Sequence, residues 1–378
     1  MRSGMPGERV GVFWRRRRTA LSLLWVICLS ACGGHQAGPP ADGTAAVLWG
    51  VGFLAGDASS ELAAVSGDGQ VAVGSSQAAD GRRRAFRWSR VEGLTALGQV
   101  DGGQTSSALA ASFDGSVIAG QASAPGSSSV AFRWTPSTGM QALPGLQGAT
   151  LCVAMGVSGD GSVVVGTCLL AGNAGFRWTQ TSGMTSLGQF GGGTSRASNA
   201  MAISRDGATI VGAGHPVLTG AVWWDAAGQV TVLGHLQNDV AAVATAVARD
   251  GATIVGYSSD GLARERAFRW TLATGMTLLG SGQEGLGDVV ATGVSGNGQV
   301  MVGWATSPVG EVALIWTEGS GLSRLEELIR ARFQLDMKGW MLTRATGISD
   351  DGLTIVGQGL NPQGQLEGWV LKLAEAWP

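Results

Sequence analysis

Seven copies of one short pattern run through the chain at nearly even intervals: Asp or Asn, then Gly, with a second Gly six positions after the first residue. Six of the copies are followed by an aromatic segment that ends in Trp, and 63 glycines punctuate runs rich in Val, Ile and Thr. These observations predict an all-β chain: a seven-bladed β-propeller closed by an N-terminal strand completing the last blade, with one short helical insertion between blades six and seven.

The turn residues are Asp68, Asp114, Asp160, Asp206, Asp250, Asn297 and Asp351, at intervals of 46, 46, 46, 44, 47 and 54. Asp-Gly or Asn-Gly between two apolar runs is a strong short-range hairpin signal, because Gly accepts the positive φ of the turn without a steric cost. The run before each turn and the β-branched run after it are therefore strands one and two. The third strand is the aromatic segment ending at Trp88, Trp134, Trp178, Trp224, Trp270 and Trp316, and a short fourth strand such as Met184 to Gly188 follows. Second strands such as Val163-Val164-Val165 do not alternate with polar residues, so both of their faces are expected to be covered.

The last repeat stops after its third strand, Gly368 to Leu373. Val47 to Leu54, ahead of the first hairpin, reads as an orphan fourth strand. Pairing the two would close a ring and remove two exposed sheet edges. The interval of 54 contains Ser323-Arg324-Leu325-Glu326, a capping-box pattern, with Leu325, Leu328, Ile329 and Arg332 at helical spacing. A short amphipathic helix is expected there, as a surface plug over the ring.

The chain opens with Arg15 to Arg18 and an apolar run from Ala20 to Leu29, the layout of a secretory signal and too short to span a bilayer. The junction Leu29-Ser30-Ala31-Cys32-Gly33-Gly34 resembles the lipobox of bacterial lipoproteins. That resemblance implies cleavage before Cys32, lipidation of Cys32 and an outer-membrane anchor. Residues 1–31 are thus a signal peptide, 32–45 a lipidated tether and 46–378 the propeller, with membrane association through the N-terminal lipid.

Cys152 and Cys168 lie at equal distances from the turn residue Asp160, so they face each other across the third hairpin, and a disulfide is expected. Only His215 and His235 remain in the body, at no metal-ligand spacing. Tyr257, the sole Tyr, is placed at the start of a loop after a second strand. Arg87, Arg133, Arg177 and Arg269 stand beside repeated Trp residues and are assigned to packing between blades. Arg82-Arg83-Arg84 is assigned to a solvated loop. No catalytic, cofactor or metal site emerges, and the seven turn residues are explained by backbone conformation alone.

The repeated A-x-x-[VI]-S-x-D-G-x-x-x-V-G, followed by A-F-R-W and G-[ML]-x-x-L-G, resembles the HAF family of extracellular repeat proteins over residues 46–373. The resemblance implies an exported repeat protein and supplies no active site. Two departures stand out. Ala85, Ala131, Gly175, Ala221 and Ala267 occupy the place of the family's His, and no translocator barrel follows the repeats.

A net charge of −2 gives no pull toward nucleic acid. The sequence therefore predicts a monomeric, lipid-anchored ring that binds or scaffolds a protein or polysaccharide partner at the envelope and is not an enzyme. The alternative is an envelope enzyme, hydrolase or lyase, acting on glycan.

Overall fold

The computed structural model of the chain describes residues 46–188, 197–215, 220–262, 264–280 and 285–377. The signal peptide, Cys32 and the tether lie outside these residues. Each Asp-Gly or Asn-Gly turn closes a hairpin. In the third repeat Leu151–Val157 pairs with Val163–Leu169, which pairs with Asn173–Thr179, which pairs with Gly183–Ser186. The other repeats follow the same order, and the described strands form five sheets of four strands and one of eight. The larger sheet arises because a single parallel bridge, Leu151 to Ser129, joins the second and third repeats. Seven separate four-stranded units were expected; that one bridge makes them six sheets.

The sheet of the seventh repeat takes its fourth strand from the start of the body. Ala46–Gly50 pairs antiparallel with Leu366–Leu373, Leu48 opposite Leu371. Repeat seven also bonds directly to repeat one: Asp350 N–H donates to the Gly67 carbonyl (2.9 Å) and the Thr346 hydroxyl to the Leu62 carbonyl (2.9 Å). Gly368 N–H donates to Ser60 Oγ at 3.1 Å. First strands of successive repeats pack side by side, and that of the seventh packs against that of the first.

All seven first strands carry a β-bulge at the same place, between Ala154 and Gly156 in the third repeat. The bulge pushes a first-strand carbonyl against the second strand, and this explains the Gly six residues after each turn residue. A Cβ at Gly166 would overlap the Val153 carbonyl, and Gly74, Gly212 and Gly303 meet the carbonyls of Glu61, Asn199 and Val290 in the same way.

The core lies between sheets. Val163 and Val165 pack with Ile210 and Trp224 of the fourth repeat, whereas Val164 faces Ala119 and Ala131 of the second. Both faces of the second strand are covered, so no polar alternation survives there. Phe86, Phe132, Phe176 and Phe268 of the repeated aromatic segment are completely buried.

The helix spans Leu325–Phe333, directly after the fourth strand of the sixth repeat. It differs from expectation in two respects. Its N-cap is Arg324 with no side-chain cap bond, so the capping box does not form. It buries Leu325, Ile329 and Phe333 against Val302, Ile315, Leu342 and Trp377, a wedge between the sixth and seventh repeats rather than a plug. Cys152 and Cys168 are disulfide-bonded and directly opposite in register. No helix among the described residues is long and apolar enough to cross a membrane.

Candidate functional site

The turns share one mechanism. Asp160 Oδ1 accepts the Ser158 hydroxyl (2.6 Å) and the Ser162 backbone N–H (3.0 Å), and Ser158 Oγ in turn accepts the Val163 N–H (3.0 Å). Equivalent clasps hold Asp68, Asp114, Asp206, Asn297 and Asp351. Among the described residues Asp250 accepts only the Ala252 N–H, because Ala248 replaces the Ser. Hydrogen bonds to the charged form hold Asp114, Asp160 and Asp206 below the usual carboxylate range: Ser116 contributes most to Asp114, Ser158 to Asp160 and Ser204 to Asp206.

The residue before each turn residue varies: Gly67, Phe113, Gly159, Arg205, Arg249, Gly296 and Asp350. Backbone bonds chain these positions together. Asp68 N–H donates to Phe113 O, Phe113 N–H to Gly159 O, Gly159 N–H to Arg205 O and Arg205 N–H to Arg249 O. Gly296 N–H donates to Asp350 O. The pattern forces the side chains of consecutive repeats around one opening, a cavity of about 680 Å³ lined by Phe113, Asp114, Gly159, Asp160, Arg205, Asp206, Arg249 and Asp250.

Three side chains give the opening its chemistry. The Arg205 guanidinium lies 3.4 Å above the Phe113 ring centre and 3.3 Å from Asp350 Oδ2. Burial pushes the Asp350 carboxyl up, against the opposing pull of Arg205 and Arg249. Arg249 is exposed and lines the same cavity. Of the residues singled out in the sequence, the structure gathers four turn residues here, Asp114, Asp160, Asp206 and Asp250. Phe113, Arg205, Arg249 and Asp350 were missed. The signal was available, since the position before the turn residue departs from Gly only at these four repeats.

The other candidates lie elsewhere. Tyr257 sits inside the strand Thr253–Ser259 and not in a loop; burial, then Glu265, pushes its phenol up. Glu265 is itself pushed up by burial and by Asp288. His235 is exposed, with Nδ1 3.0 Å from the Leu236 carbonyl, and His215 ends the strand Ile210–His215. Arg82 and Arg84 each pair at 2.7 Å, with Asp80 and Asp57, and Arg83 lies 3.5 Å from Glu61. Arg87 reaches the Trp134 ring of the next repeat at 6.0 Å, and Arg133 donates to the Gly161 carbonyl of the third repeat at 3.3 Å. Among the described residues no group of His, Cys, Asp and Glu is placed to hold a metal.

No family model and no curated protein matches the sequence. Solved structures do match the fold. An oligogalacturonate lyase in complex with manganese superposes with a TM-score of 0.57 at 13% identity, over 88% of this chain and 95% of that one. An oligogalacturonate lyase from Vibrio parahaemolyticus gives 0.59 at 11% identity, over 87% and 94%. A structure from a study of two prolyl endopeptidases gives 0.55 at 12%, over 84% of this chain, which spans only 50% of that protein's length. The body is thus propeller-like and all-β. The expectation that the chain is not an enzyme is corrected by these likenesses: the absence of a motif excluded catalysis, yet the folds this chain resembles belong to a lyase and an endopeptidase.

Proposed function

We propose that the chain is an exported, lipid-anchored protein whose body closes as a seven-unit propeller and acts on a glycan of the cell envelope at the opening around Arg205, Arg249 and Asp350. The observation that carries this reading is the charge order of that opening: Asp160, Arg205, Asp206, Arg249 and Asp250 follow one another around a single cavity beside Phe113. Sugar hydroxyls donate and accept at once, so alternating carboxylates and guanidiniums beside an aromatic ring suit a carbohydrate better than an apolar peptide.

The reaction favoured is elimination rather than hydrolysis. Glycoside hydrolysis ordinarily uses a pair of carboxyl groups with different roles; the carboxyls that line the cavity, Asp114, Asp160, Asp206 and Asp250, are all turn residues, and Asp350, ion-paired to the lining Arg205, is not. Elimination from a uronic acid needs one base to take the C5 proton beside the carboxylate and a cation to offset that charge; the C–H electron pair becomes the C4–C5 double bond as the C4–O bond breaks, and the departing sugar oxygen takes a proton from solvent. Asp350, 3.3 Å from the Arg205 guanidinium and within the field of Arg249, meets this requirement, and the likeness to oligogalacturonate lyases supports it. The pairing of Ala46–Gly50 with Leu366–Leu373 and the bonds from repeat seven to repeat one support closure. The lipobox resemblance at Cys32 supports the anchor.

Purified protein incubated with polygalacturonate and, separately, with neutral glycans gives the test, followed by ultraviolet absorbance of unsaturated uronate and by new reducing ends. Cleavage that falls on the order of 100-fold in Asp350→Asn is expected. Retention of intact polysaccharide without cleavage would return the protein to a binding role. Labelled palmitate incorporated by the wild type and not by Cys32→Ser checks the anchor.

A further inference from the structure

The opening is not held equally all round. In six repeats a Ser two positions before the turn residue closes the hairpin, accepting the N–H five residues on; Ser204 Oγ takes the Thr209 N–H at 2.9 Å. In the fifth repeat Ala248 offers no oxygen to the Thr253 N–H or to Asp250. The backbone chain around the opening fails beside the same turn. Arg205 N–H reaches Arg249 O at 3.2 Å, the longest link, and among the described residues none runs between Arg249 and Gly296. The strand beneath stays anchored, since the Thr245 hydroxyl donates to the Ala291 carbonyl at 2.6 Å.

The two arginines of the opening therefore differ in restraint. Arg205 is fixed from both sides by the Phe113 ring and Asp350. Arg249 is exposed and has no ion pair among the described residues. We propose that the turn Ala248 to Thr253 is the movable lip of the opening, the one turn of the seven that opens independently of its sheet and carries Arg249 toward or away from a bound anionic group. This rests on the opening being the functional site, whereas the movement itself requires no substrate.

Hydrogen exchange on the intact, substrate-free protein tests it. Amides of Arg249 to Thr253 are expected to exchange about five- to tenfold faster than those of Arg205 to Thr209, the effect of one hydrogen bond. Ala248→Ser should bring the two turns level, and Ser204→Ala should loosen the fourth-repeat turn to match the fifth. Equal exchange in the wild type, or no change in Ala248→Ser, would overturn the lip. The polysaccharide assay is read separately: loss of cleavage with the exchange difference intact defeats the glycan reading and leaves the lip standing. Protection of Ala46 to Gly50 in the same data reports on closure.

Discussion

A single hydroxyl decides how firmly each turn is held. Ser158 donates to Asp160 and accepts from Val163, so Ser158→Ala leaves the buried Val163 N–H without its partner and is expected to lower stability by about 1–3 kcal/mol in urea unfolding. The clasped aspartates also set an acid limit. Asp114, Asp160 and Asp206 have depressed folded-state pKa values, so their contribution is complete above the ordinary carboxylate range and is lost as pH falls through the depressed values. Glu265 has the opposite sign: its pKa is raised, so it favours folding at low pH and costs stability as pH rises through the ordinary value toward the raised one. Glu265→Gln is therefore expected to raise the unfolding free energy slightly at pH 7, by under about 1 kcal/mol because the group is partly solvated, and to leave it unchanged at pH 3. A loss of stability at pH 7 would contradict the burial argument.

At the scale of an element, the bulge and the glycine opposite it form one device. The bulge sets a first-strand carbonyl where a Cβ would otherwise stand, so Gly166→Ala must displace backbone, not a side chain. A cost of about 1–3 kcal/mol or more is expected, measured as a shift in the urea midpoint. The third hairpin has a further tie. Removing the disulfide with Cys152→Ala and Cys168→Ala should cost about 3 kcal/mol for a loop of this length. The helix is a wedge whose worth lies in Ile329 and Phe333, both at the seam of repeats six and seven. Phe333→Ala is expected to cost about 3–5 kcal/mol, and it also removes the edge contact with Trp377 at 5.5 Å.

For the whole molecule, the meeting of the two ends of the body governs solubility as well as stability. Without Ala46 to Gly50 the strand Leu366–Leu373 becomes an open edge with Trp369 and Leu371 beside it. A chain beginning after Gly50 is expected to form larger species through that edge than the intact body does in size-exclusion chromatography. The opening around Arg205 and Arg249 is likewise a property of the assembled repeats, since no single repeat supplies more than two of the residues that line it.

Local chemistry repeated in order was enough to specify the hairpins, their four-strand units, the partner of Cys152 and the strand that completes the last sheet. Asp-Gly turns, period and register are short-range facts, and copying one unit multiplies the signal. The helix was legible as amphipathic, but its missing cap and its place in a seam depend on what packs against it. The functional opening was hidden for the same reason. Phe113, Arg205, Arg249 and Asp350 are separated by 44 to 101 residues in the chain, and only the backbone links between turns bring Phe113, Arg205 and Arg249 to a common cavity, with Asp350 ion-paired to Arg205. Tertiary structure alone could decide that, because burial, stacking and the upward shift of Asp350 belong to neighbours that no local pattern names.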